Sequence, residues 1–240
     1  MKKLKLALFG AILGCVSCAC AVEWQKSDFS DIKGRESKAQ ILIIGANGSV
    51  AKVATQGFLV GTNANLKLFL RDSERLAKVA QQNPSKITLI EGDALDINAL
   101  KNAMKNVNVV YANLAGDLEA MAKAITQSMR EVGVKRLIWI SSYGVYQNEY
   151  NEVPNTGSAP KSYIDSVKII ESSGLDYTII RPQWFSNADE IDYELTKKGE
   201  VFKNPSAYIS RKSIAHLIIR LCLEPNFGIK ESFGINKPAK

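Results

Sequence analysis

The stretch Gly45-Ala46-Asn47-Gly48-Ser49-Val50-Ala51 has the residue types and the spacing to hold a diphosphate. It follows the apolar run Ile41 to Ile44 and leads into Val50, Val53, Ala54, Gly57 and Phe58, which are apolar or small at helical spacing. Gly45 permits a tight turn, Gly48 keeps a Cβ out of the path of phosphate oxygens, and small Ala51 lets the helix pack closely on the strand. The first turn of such a helix, with Ser49 and Val50, presents free N–H groups and the positive end of the helix dipole, beside Ala46 and Asn47 in the loop. An ordinary strand-to-helix turn can carry the same glycines, but the apolar run before them and the helical pattern after them favour a dinucleotide site.

The next apolar run, Leu66 to Leu70, ends in Leu70-Arg71-Asp72-Ser73-Glu74-Arg75. An NAD site usually places an acidic residue here to accept from the ribose 2′-OH, whereas Arg71 meets the extra phosphate of NADP. Arg75, one helical turn on, adds a second donor, and Ser73 a hydroxyl or an N–H. NADP is therefore the expected cofactor, with NAD left open through Asp72. In Glu91-Gly92-Asp93-Ala94, Asp93 either accepts from the adenine amine, with Ala94 beside it, or caps the following helix. Asn113-Leu114-Ala115-Gly116 offers a loop of small residues to lie against the cofactor ribose.

Positioning these loops requires strands that end together. Apolar runs at Ile41 to Ile44, Leu66 to Leu70, Ile87 to Ile90, Val107 to Tyr111, Arg136 to Ile140 and Tyr177 to Ile180 read as strands. Helical patterns at Ser49 to Leu59, Ser73 to Gln81, Ile97 to Lys105, Leu118 to Val132 and Lys161 to Ser172 separate them. This alternation predicts an α/β fold, a Rossmann-type doubly wound parallel sheet with helices on both faces. Asp72 and Asp96 are candidate helix caps, and Gly133 and Gly174 stand where helices should stop. A last helix from Lys212 to Leu223 precedes Pro225, and Ser232 to Ile235 reads as one more edge strand.

The chain has 240 residues, 46% of them hydrophobic and 23% charged, which suits one sizeable core and a single domain over residues 39–240. Residues 1–21 read as a signal peptide: Lys2, Lys3 and Lys5, an apolar run from Leu6 to Val16, and Ala19-Cys20-Ala21 as the cleavage site. Export, in a bacterium to the periplasm, is the expectation. A lipoprotein box at Ile12-Leu13-Gly14-Cys15 or an uncleaved membrane anchor are the alternatives. Residues 22–38 are polar and without period, as in a tether.

Losing the three leader lysines takes the formal net charge from +7 to +4, and the remaining basic residues are scattered, so no nucleic-acid partner is expected. The expected partner is a small-molecule substrate, and the expected state a monomer or small homo-oligomer, with no membrane contact apart from a leader anchor. Cys15, Cys18 and Cys20 fall in the leader, leaving Cys222 in an apolar helix as a buried structural thiol. His216 is the only histidine, with a structural role expected, and no His or Cys spacing suggests a metal site.

Taken together, the residues from Ile41 to Leu223 resemble the atypical short-chain dehydrogenase/reductase superfamily, specifically its NmrA-like and biliverdin reductase B/flavin reductase group. The resemblance rests on Gly45-x-x-Gly48-x-x-Ala51, Arg71-Asp72-Ser73-x-Arg75-Leu76, Gly92-Asp93 and Ser141-Ser142, on Lys168 ahead of Ser173 to Pro182, and on Ile209-Ser210-x-x-x-Ile214-Ala215. It implies that the NADP adenosine lies over Arg71 and Arg75, that Ser141 and Ser142 lie near the nicotinamide, and that Arg181 to Phe185 wall the substrate pocket. On this basis Ser141, Ser142, Tyr143 and Lys168 are the candidate catalytic residues, and Lys168 and Pro182 also join the cofactor set.

Dehydrogenases of this kind use Tyr-x-x-x-Lys, four apart on one helix face, so that the ammonium lowers the phenol pKa. Here Tyr163 and Lys168 are five apart, which rotates them away from each other on a regular helix. Tyr143 or Tyr146 is a substitute donor or a packing aromatic. Without the dyad, the chemistry left open is hydride transfer to an acceptor that takes its proton from water, such as a flavin or quinone. Trp184 and Phe185, with Tyr143 and Tyr146 opposite, either form a flat slot for such a ring or close the core. A non-catalytic dinucleotide sensor of NmrA type is the alternative function, and a nucleotide-sugar epimerase, which needs a longer substrate region, comes last.

Overall fold

A computed structural model describes residues 22–155 and 157–239, so the leader reading at residues 1–21 lies outside the described residues. In chain order the elements are β1 (Gln40–Ile44), α1 (Ser49–Gly61), β2 (Asn65–Leu70), α2 (Ala77–Gln82), β3 (Ile87–Glu91), α3 (Ile97–Ala103), β4 (Val109–Ala112), α4 (Leu118–Val132), β5 (Arg136–Ile140), α5 (Gln147–Tyr150), α6 (Lys161–Glu171), β6 (Asp176–Pro182), β7 (Phe185–Ser186), β8 (Glu194–Thr196), β9 (Ile209–Ser210), α7 (Arg211–Leu223) and β10 (Glu231–Asn236).

Strands with apolar residues at every position need cover on both faces, because successive side chains point to opposite sides. In β1, Ile41 and Ile43 pack into one core with Val50, Ala54 and Phe58 of α1 and Ile214 to Ile219 of α7. Leu42 and Ile44 enter the other core, with Leu100 of α3, Ile125 of α4 and Val167 of α6. The strand order is β3-β2-β1-β4-β5-β6-β10-β8, parallel throughout except for β8 on β10. The chain direction across the sheet reverses between β1 and β4, and there the loops after their carboxyl ends part to leave a crevice.

Local signals set the helix ends. The Asp96 carboxylate accepts from the backbone N–H of Asn98 (2.8 Å) and Ala99 (3.0 Å) at the start of α3, Asp117 caps α4, and Gly133 at φ +86° ends α4. Asp72 caps nothing; its carboxylate instead accepts from Arg75 Nε at 2.8 Å.

Two expectations need correction. Ser232 to Ile235 does not form an edge: β10 lies inside the sheet, covered by the antiparallel three-residue β8 through pairs such as Gly234 with Thr196. Nor are residues 22–38 a tether. Phe29, at the end of a 3-10 turn from Lys26 to Phe29, is 0% exposed and Ile32 2%, both in the α1–α7 core. Lys212 pins this segment, donating to Glu23 O (2.6 Å) and pairing with Asp28 (3.1 Å). His216, held between the Tyr193 hydroxyl (3.0 Å) and the Asp31 carboxylate (3.2 Å), does the same, a structural role. Among the described residues no helix is long and apolar enough to cross a membrane.

Candidate functional site

The crevice between β1 and β4 opens into a cleft of about 400 Å³. Its floor is Gly45 and Asn47 from the first loop and Asn113, Leu114 and Ala115 from the loop after β4. Phe69, Arg71, Asp72 and Arg75 wall one side, with Gly92, Asp93 and Ala94 beyond them. Among the sequence-predicted cofactor residues, Gly45, Asn47, Arg71, Arg75, Asp93, Ala94, Asn113, Leu114 and Ala115 thus converge on one space. Ala46 is buried beneath the loop, and Gly48, Ser49 and Val50 open α1 next to it.

The loop fits a diphosphate for a reason visible in its bonding. No side chain caps α1, whose N-cap is Gly48, so the N–H groups of its first turn are left for an anion. Gly45 takes φ +77°, and a Cβ there would stand 2.2 Å from the carbonyl oxygen of Asn113. The role of Gly48 differs from the expected open path for phosphate: the Asn113 amide occupies the space, 1.9 Å from where a Cβ would be. That amide is also bonded to the Tyr111 hydroxyl at 3.3 Å, so Gly48 seats the second loop against the first.

At the end of β2 the donors sort themselves. Arg71 is exposed in the cleft and among the described residues makes no ion pair or side-chain hydrogen bond. Ser73, expected to face a 2′-phosphate, gives both its N–H (3.0 Å) and its hydroxyl (2.8 Å) to Glu91 Oε2. Those two bonds hold the Glu91 carboxyl below the usual carboxylate range. Arg75 is engaged by Asp72, an exposed pair of little strength that a phosphate can displace. Asp93 lines the cleft while its carboxylate accepts from Leu95 N at 2.9 Å, so it serves as a local turn cap and keeps one oxygen for a ligand.

A second cleft, of about 390 Å³, lies at the carboxyl ends of β5 and β6, the strands beyond β4. Ser141, Ser142, Tyr143 and Pro182 line it, with Trp184 and Phe185 as expected. Ser141 is 4% exposed and its hydroxyl has no hydrogen-bond partner among the described residues. The Tyr143 ring meets Trp184 edge-on at 6.1 Å. Tyr163, Gln183 and the segment from Gly157 to Pro160 complete the wall. Sequence reasoning passed over that segment because it belongs to a long loop without period; Pro160 ahead of the α6 pattern was its one signal.

Three assigned residues fall elsewhere. Lys168 is exposed on α6 and lines neither cleft, because five residues carry it past the face that holds Tyr163; buried Val167 stands at the four-residue spacing. Tyr146 is 3% exposed and donates to Glu171 Oε1 at 2.7 Å, so it does not face Trp184; burial drives its phenol well above the ordinary range. Arg181 turns to the opposite side of β6 from Pro182 and does not wall the pocket. Its guanidinium, 0% exposed, pairs with equally buried Glu152 and donates to Ser232 Oγ (3.1 Å) and O (3.2 Å). Desolvation raises the Glu152 pKa against the pull of Arg181. Cys222 is buried as expected, its thiol pushed up to about 12 by desolvation, so it carries no thiolate at neutral pH.

A Lys168→Ala variant should therefore keep its stability within about 0.5 kcal/mol and its dinucleotide affinity unchanged in a fluorescence titration. A large loss of that affinity would restore the lysine to the cofactor set.

A family model described as NAD(P)H-binding matches residues 45–225, from the first loop to the end of α7. The chain belongs to this family. A Rossmann-fold NAD(P)-binding family protein from Shigella flexneri is similar in structure, with a TM-score of 0.73 and 36% identity over 85% of this chain and 96% of that one. A short-chain dehydrogenase/reductase from Veillonella parvula, solved in complex with NADP, gives 0.72 and 25% over 84% and 95%. A Bacillus subtilis relative named an uncharacterized sugar epimerase is 28% identical over 199 residues, 78% of this chain and 89% of its own. The fold, both clefts and these relatives place the NAD(P)-binding family member in the atypical short-chain dehydrogenase/reductase superfamily, among oxidoreductases.

Proposed function

We propose that this chain is an NADP(H)-dependent reductase that passes hydride to a small planar acceptor of flavin or quinone type. The observation that carries the reading is the second cleft: aromatic walls and an unpartnered buried hydroxyl at Ser141, next to the dinucleotide cleft, with no lysine among the described residues that line it. Bound NADPH supplies the hydride. The acceptor gains the two electrons and the hydrogen of that hydride, together with one proton from water, and leaves as hydroquinone or dihydroflavin, while NADP+ remains.

The chain's own groups bind and orient. The first turn of α1 and the Gly45 loop hold the diphosphate, Arg71 the 2′-phosphate, and Ser141 donates to an acceptor carbonyl while Trp184 and Phe185 limit water. Arg71 contributes a charge-assisted hydrogen bond, worth about 1.5 to 3 kcal/mol. Arg71→Ala should thus weaken NADPH about tenfold or more and leave NADH nearly unchanged, as read by fluorescence titration; equal losses for both would remove the case for NADP.

Consumption of NADPH with a flavin or quinone tests the reaction, and tight NADPH binding without turnover across such a panel refutes it. Displacement of Lys168 from both clefts also favours a second reading, a sensor whose partner contacts follow the redox state of the cofactor. Equal affinity for NADP+ and NADPH would remove its basis. The epimerase reading stays last: the chain spans most of the Bacillus subtilis relative, so length does not argue against it, but the second cleft has no cation for a sugar nucleotide's diphosphate.

A further inference from the structure

We infer, resting on the reductase reading, that the second cleft selects uncharged ring acceptors and rejects the same rings once they carry a sulfonate, phosphate or carboxylate. Among the described residues that line it, none is Asp, Glu, Lys, Arg or His. Its polar capacity is neutral and small. The Gln183 amide is already committed, donating to Asn204 O and accepting from Lys237 N at 3.3 Å. Ser158 bonds Asn148 at 2.6 Å on the exposed rim. That leaves the hydroxyls of Ser141, Ser142, Tyr143 and Tyr163, uncharged groups suited to the carbonyl oxygens of a neutral ring.

Nearby cations are turned to other work. Arg211 lies 5.2 Å over the Phe185 ring, its Nη1 bonded to Ser186 O (3.2 Å) and Asn187 Oδ1 (2.7 Å). Lys161, next to Pro160, is paired with Asp165, and Arg181 is buried on Glu152. The acidic residues after the cleft, Asp189 and Glu190, are paired with Lys212 and Lys237. An anion on a bound ring would therefore lose water and meet no counter-charge from the lining side chains, a cost an uncharged ring avoids. Rings of two or three fused members fit within the cleft volume, which lies in the usual range of small-molecule sites.

The test uses matched pairs on the full chain: 1,4-naphthoquinone against its 2-sulfonate, and riboflavin against its 5′-phosphate. Each compound is titrated by calorimetry into protein saturated with NADP+, where no turnover occurs, and then assayed for NADPH oxidation. The expected result is binding at least about tenfold tighter, or about 1.4 kcal/mol, for the uncharged member of each pair, with the kcat/KM difference residing in KM. The sulfonate withdraws electrons and eases hydride uptake, so preference for the plain quinone runs against intrinsic reactivity. A Ser158→Lys variant, which sets a cation in the cleft wall, should narrow the gap between the sulfonate and the plain quinone, whatever it does to the plain quinone alone. Equal or tighter binding of the charged members, or no binding of any, overturns the inference. Binding in the expected order without NADPH oxidation upholds it and removes the reductase reading instead.

Discussion

Replacing Gly45 by alanine is expected to cost the protein at least about tenfold in affinity for pyridine nucleotide, with both NADPH and NADH affected. Two independent effects act at this residue. Its φ of +77° is the left-handed region, which costs an L-residue roughly 1 to 2 kcal/mol. The added Cβ would also lie 2.2 Å from the carbonyl oxygen of Asn113, 3.0 Å from its carbon and 3.1 Å from Leu114 Cδ2. Asn113 and Leu114 form the facing wall of the cleft, so relief of the clash must widen or tilt the cradle itself. Gly45→Asn separates the two effects: asparagine tolerates positive φ but carries the same Cβ, so it should lose affinity almost as fully as alanine. Fluorescence titration of either variant with NADPH reads the outcome. Wild-type affinity in both would mean that the diphosphate does not sit on this loop.

The largest expected effect on stability lies far from the clefts, at Phe29. Its ring is buried against Trp24, with centroids 5.0 Å apart, and fills the space where a side chain at Gly61 would stand, 2.1 Å from a Cβ there. Lys212 closes over this stack, 5.2 Å from the Trp24 ring, with Asp28 at 3.1 Å and Asp189 at 2.9 Å. Phe29→Ala should destabilise the fold by about 3 to 5 kcal/mol, the range for emptying a buried aromatic site. The melting temperature should fall by on the order of 10 °C, while NADPH affinity below the transition stays as in the wild type. A change below about 1 kcal/mol in urea unfolding would return residues 22–38 to the status of a tether.

That segment shows where the sequence is hard to read. Trp24, Phe29 and Ile32 follow neither a period of two nor one of 3.6, because a 3-10 turn and irregular chain place them, and polar neighbours at Lys26, Asp28 and Lys33 hide them. The main strands and longer helices, by contrast, carry regular apolar patterns whose ends match the structure closely: β5 and α4 coincide with their predicted bounds. The two-residue β7 and β9 and the three-residue β8 exist only through pairing with residues distant in sequence, such as Phe185 with Ile209, and leave no local pattern. Missing β8 is also why β10 looked like an edge.

The cofactor loop was legible because its chemistry is local, with turn, cradle and helix start contiguous in the chain. Pairings across elements were not. Glu91 takes both donors of Ser73, and Glu152 takes Arg181, through contacts that no spacing announces. The five-residue separation of Tyr163 and Lys168 did predict their divergence, since helical geometry is fixed by spacing alone.

Titration of the purified chain with NADPH and with NADH, followed by cofactor fluorescence and by displacement with adenosine 2′,5′-bisphosphate, decides whether the first cleft holds NADP(H). Saturable binding is expected, NADPH tighter than NADH by about tenfold or more, with displacement by the bisphosphate but poorly by AMP. No binding of either nucleotide would contradict it, and equal binding with no effect of the bisphosphate would remove the 2′-phosphate from Arg71.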